Sequence, residues 1–103
     1  MFEVQMLIPV ASNDGVVFAA EHHAAFEAAA VDAIGGFTLF PSTAIGGWKN
    51  ADGVVYSDST RVYGFALTSL SQGAAVVGLA RFAAKHYDQE AIAIRYLGHF
   101  EII

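Results

Sequence analysis

Four histidines, a few scattered carboxylates and one aromatic hairpin are the parts of this 103-residue chain that could do chemistry. His22 and His23 are adjacent, so on a helix they point about 100° apart and cannot chelate one metal ion. His23 and Glu27 stand four residues apart, a spacing that can share a metal. Two ligands do not complete a site, and the sequence has no H-E-x-x-H. An exposed helical His–Glu pair is the commoner meaning, and neither a metal nor a cofactor is expected. His22 is expected at a helix–sheet or subunit boundary. His86 suits a helix C-terminus, where a cation is favoured. His99 is the histidine freest to face a pocket.

The hairpin is the stretch IGGWKNADGVVYSDSTRVYGF, residues 45–65, which holds the only tryptophan. Asp58 and Arg61 lie three apart at its base. Asp58 in a turn usually accepts backbone hydrogen bonds. If the neighbouring sheet face is a pocket, Asp58, Arg61, Tyr63 and Arg95 are the polar groups best able to orient an anionic or phenolic ligand. Trp48, Tyr56, Tyr63 and Phe65 would hold its apolar part. With His99, these are the candidate ligand-binding residues. No catalytic residue is assigned. G-x-S-x-G, the P-loop and G-x-G-x-x-G are all missing. With no cysteine there is no disulfide, thiolate chemistry or Cys-ligated zinc.

Composition narrows the partners. The net charge is −5, and the five basic residues, Lys49, Arg61, Arg81, Lys85 and Arg95, are scattered. Nucleic-acid binding draws its affinity from concentrated basic surface, so no nucleic-acid partner is expected. The chain is 55% hydrophobic and 15% charged, against about 45–50% and about 25% in ordinary soluble domains. So few charges leave surface that another chain should cover, and a homo-oligomer is expected. The first residues make a poor signal peptide and no apolar run is long enough to span a bilayer. The expectation is a cytoplasmic protein with no membrane partner.

The elements that must position these residues follow from periodicity. FEVQMLIPV alternates, with Phe2, Val4, Met6 and Ile8 on one face of a strand. ASNDG is turn chemistry. Residues 16–34 read as an alanine-rich helix presenting Phe18, His22, Ala25, Phe26, Ala29 and Ala33, with Gly35 at its end. GFTLF is a second strand that Pro41 interrupts or ends. NADG, residues 50–53, suits a hairpin loop with a left-handed glycine. TRVYGFAL is a third strand. SLSQ is a capping box, Ser69 with Gln72, opening a helix to about His86 that buries Val76, Leu79, Phe82 and Ala83. The last residues form a fourth strand, with Gly98 marking a bulge before Phe100 and Ile102.

The order β-α-β-β-α-β over residues 1–103 predicts one α+β domain of the ferredoxin-like type. It comprises a four-stranded antiparallel sheet, two helices on one face and a β-hairpin extension. The first and third strands should be central and one sheet face open. That face is expected to carry Gln5, Leu7, Tyr63, Phe65, Arg95 and Leu97, a mixture suited to a sheet-to-sheet interface or a ligand wall. Three readings of the aromatics stay open: cross-strand packing alone, dimer packing, and a small-molecule pocket between subunits.

The segments GGFT, GGW, DGVVYSD, VYGF and QEAIAI resemble those of a family of small bacterial and mobile-element proteins. That resemblance covers nearly the whole chain and implies the ferredoxin-like fold without implying an activity. The architecture is also similar to the dimeric α+β barrel proteins, which include cofactor-free monooxygenases and binding proteins. The expected function is a homo-oligomeric module binding a small apolar or aromatic ligand or a protein partner. One alternative is a small cofactor-independent enzyme with His99 or Asp58 as base and Arg61 or Arg95 steadying an anion. Another is a mobile-element-encoded interaction protein.

Overall fold

The computed structural model describes residues 1–99 and 101–102. Its elements run β1 Phe2–Pro9, α1 Ala20–Ile34, β2 Thr38–Lys49, β3 Val55–Leu67, a 3₁₀ turn Leu70–Gln72, α2 Gly73–His86 and β4 Ala93–His99. The described residues form an α+β fold with one four-stranded antiparallel sheet, ordered β2-β3-β1-β4, and two helices. The first and third strands are the central ones.

The alternation of β1 places Val4, Met6 and Ile8 in the core, with Phe2 packed at its margin. Register then fixes the facing of β3, because directly opposed residues share a face. Val4 pairs with Phe65 and Met6 with Tyr63, so both aromatics lie under the helices. Phe26 and Ala30 of α1 and Val76, Leu79 and Ala83 of α2 close the same core. Tyr63 and Phe65 are therefore not on the open face, as their polar and aromatic character suggests. They are 0% and 1% exposed.

Both helices differ from expectation in detail. α1 starts at Ala20, because residues 10–18 fold into a small turn first. Ser12 N–H donates to Val16 O, Phe18 N–H donates to Val10 O, and Gly15 adopts φ 83°. The buried side chains of α1 are His23, Phe26 and Ala30, so its inward face is rotated from the expected one and Ala25 and Ala33 are exposed. Gly35 ends the helix in the left-handed region at φ 107°, its N–H donating to Val31 O. The Ser69–Gln72 capping box is present at the 3₁₀ turn that leads into α2. Phe82 is exposed rather than buried.

Pro41 does not end β2. It sits where the β2–β3 register shifts, between Leu39 and Thr43. β2 is an edge strand, where a residue without an N–H is tolerated. Beyond that shift the two strands continue as an arm. β1 stops at Pro9 opposite Thr60, and beyond that point residues 45–49 of β2 pair with residues 55–59 of β3. The Asn50 carbonyl oxygen of the side chain accepts from Asp52 and Val54 N–H, and Gly53 takes φ 82°. At the other end Gly98, at φ 91°, pairs with Glu3 while Tyr96 pairs with Val4. Leu97 is the extra residue of that bulge. The expected reset at Phe100 lies outside the described residues, and Ile102 is exposed and outside any strand.

Candidate functional site

The most tightly bonded polar groups join the start of α1 to the end of α2 and to β3. His22 Nε2–H donates to the His86 carbonyl at 2.7 Å, and His86 Nε2–H donates to the His22 carbonyl at 2.7 Å. The two rings stack at 3.8 Å, with Phe18 stacked on His22 and Phe82 on His86. The result is a four-ring column clasping the two helices. Behind it, buried His23 Nδ1 and the Tyr87 hydroxyl share a 2.7 Å hydrogen bond. The Tyr63 hydroxyl donates to Glu27 at 2.6 Å, and Arg61 stands 3.8 Å from the same carboxylate.

This geometry corrects the expected exposed His23–Glu27 pair. The two side chains turn to different partners. Burial lowers the His23 imidazole to about 4, with the Arg61 charge adding to the shift. Burial, then the bond to Glu27, pushes the Tyr63 hydroxyl well above the usual tyrosine range, and burial does the same to Tyr87. His23 and both phenols are therefore neutral at pH 7, acting as hydrogen-bonding struts. His22 lies at a helix–helix contact rather than a helix–sheet boundary, and His86 is in the last turn of α2.

The other candidates are dispersed. Trp48 and Tyr56 oppose each other on the arm and stack at 4.8 Å, and Trp48 Nε1–H donates to Asp58 at 2.9 Å. Both rings remain half exposed, at 52% and 43%. Asp58 thus binds an indole rather than turn backbone. Arg95 pairs with Gln5 on the face away from the helices. His99 pairs with Phe2 and packs edge-on against its ring at 5.9 Å. Asp58 lies past the Pro9 end of β1 and His99 at the Phe2 end. Eight residues of strand separate the two by about 24 Å, so one protomer cannot use them on one small substrate.

The sheet face opposite the helices carries Glu3, Gln5 and Leu7 of β1, Val62, Gly64 and Ala66 of β3, and Ala93 and Arg95 of β4. Phe40 reaches over Gly64, where an added Cβ would stand 3.2 Å from its ring. A side chain at that position would press on the Phe40 ring and require it to shift by a few tenths of an ångström. Among the described residues no helix covers this face. The alternation of β3 is legible in the sequence, but its facing is not. The signal that could have set it is the smallness of Gly64 and Ala66, which suits a close approach.

The described residues enclose cavities of about 350 and 160 Å³. The larger runs from Ile34 to Thr38 and over Gly64 and Ala66. The smaller lies between Phe2, Leu67, Leu70 and Tyr96. His23, Glu27, Arg61 and Tyr87 line neither. Among the described residues no three His, Asp or Glu side chains are placed to hold a metal ion, and no helix is long and apolar enough to cross a membrane. No protein-family model matches the chain, and no curated protein matches it significantly.

Proposed function

We propose that the chain is a self-associating ferredoxin-like module that binds a small apolar or aromatic ligand or a protein partner without chemistry. The strand order β2-β3-β1-β4, with β1 and β3 central, supports the ferredoxin-like reading. The observation that carries self-association is the uncovered sheet face. It holds Leu7, Val62, Ala66 and Ala93 among Glu3, Gln5 and Arg95. A two-fold interface places one patch on its own copy, and a face with one carboxylate and one guanidinium is self-complementary. Glu3 of one copy can meet Arg95 of the other.

Area argues that the arm takes part. Four strands about 4.8 Å apart and about 20 Å long give a face of about 400 Å². A stable interface needs about 800 Å² per partner. The arm supplies the remainder, with Ile45 and Val55 exposed on one side and Trp48 and Tyr56 on the other.

A catalytic centre needs a shifted titratable group beside a cavity. Here the shifted groups, His23, Tyr63 and Tyr87, line neither cavity. That separation favours binding over the cofactor-independent enzyme. The display of Trp48 and Tyr56 on the arm favours one second reading, in which the arm contacts a different protein, as the mobile-element resemblance implies. Charge reversal tests the first reading. Glu3→Arg should dissociate the assembly, and Glu3→Arg with Arg95→Glu should restore it. Equal assembly in all three proteins, read by sedimentation velocity, would count against the sheet face as the interface.

A further inference from the structure

The cavity of about 160 Å³ beside the start of α2 is lined mainly by apolar side chains. Val4 and Leu67, each 2% exposed, form its floor. Phe2, Leu70 and Tyr96 stand around it, and Leu70 and Tyr96 are largely exposed. Its acidic lining residue, Glu3, turns its carboxylate toward Gly64 on the other side of the sheet. An apolar cavity of about 150 Å³ takes a benzene-sized molecule. The Phe2 ring is held in place by the edge-on contact with His99.

Gly73 lines the same cavity at the start of α2. Its φ of −56° and ψ of −36° are ordinary right-handed helix. No backbone need explains glycine there, and alanine is the better helix former. A Cβ at Gly73 would meet nothing within 4 Å. A side chain at position 73 would project into open space beside the cavity lining. Gly98 on the facing strand is different, since its φ of 91° itself requires glycine.

We propose that this cavity binds a small uncharged molecule built on a single aromatic ring. The site deepens the binding-module reading and rests on it. Volume limits the ligand to about one ring. The apolar floor excludes a charged one, because a buried charge without a partner is strongly disfavoured.

Phenol is the probe, titrated into the full-length protein while backbone amide resonances are followed. Saturable shifts should cluster at Phe2, Leu70, Gly73 and Tyr96. Benzoate, with the same ring and a charge, should bind at least about tenfold more weakly, as should phenol to Gly73→Leu. The Gly73→Ala protein, which keeps the helix and fills less space, should show a smaller loss and serves where Gly73→Leu does not fold. Shifts that do not saturate, that cluster elsewhere, or that are the same in the folded glycine variants would overturn the site. Sedimentation velocity on the same samples separates the two ideas. An intact assembly without phenol binding ends the ligand proposal alone, whereas phenol binding to a monomer ends self-association alone.

Discussion

His23 is the side chain whose ionisation should report most directly on folding. Its imidazole titrates near 6.5 when unfolded and is lowered to about 4 by burial and by Arg61. Between those values the unfolded chain holds a proton that the folded chain lacks. The contribution is therefore fully present above pH 6.5 and is lost as pH falls toward 4. The size is on the order of 3 kcal/mol. Urea unfolding of the wild type should show that slope, and His23→Gln should flatten it. A wild-type slope equal to that of the variant would mean that His23 is not held neutral. Trp48→Ala tests the arm at the same scale. The Tyr56 stack and the bond to Asp58 are partly exposed, so the loss of stability should be about 1 kcal/mol or less. Its larger effect should be on assembly. Lowered thermal stability with unchanged assembly would reduce these aromatics to cross-strand packing.

The clasp between α1 and α2 is a property of two elements. His22 and His86 each donate to the other's backbone, and their rings stack. Either histidine replaced by alanine should cost about 1–2 kcal/mol. The double variant should cost less than the sum, with a coupling of at least about 0.5 kcal/mol by denaturant unfolding. Additive losses would show that the rings do not act together. Elements also mark where the sequence can and cannot be read. β1 is legible because apolar and polar residues alternate with strong contrast. The arm is legible because NADG is local turn chemistry. The facing of β3 is obscured because Arg61 and Tyr63 carry polar tips. Their partner, Glu27, lies on α1 and is 36 residues from Tyr63. His23 is obscured in the same way, since Tyr87 is 64 residues distant. The early start expected for α1 fails because the backbone groups near Val16 are recruited by Ser12.

At the scale of the whole molecule the sheet is asymmetric. One face is a close-packed core beneath two helices, and the other presents small apolar residues, Gln5, Glu3 and Arg95 to whatever lies beyond the protomer. Low charge in the composition points the same way. Leu7→Glu combined with Val62→Glu should break the assembly while leaving the protomer folded, because neither side chain belongs to the buried cluster. Native mass spectrometry of the protein as purified, repeated after denaturation, tests self-association most directly. The account predicts a dimer or larger assembly that falls to the protomer mass on denaturation. A clean monomer at micromolar concentration would contradict it.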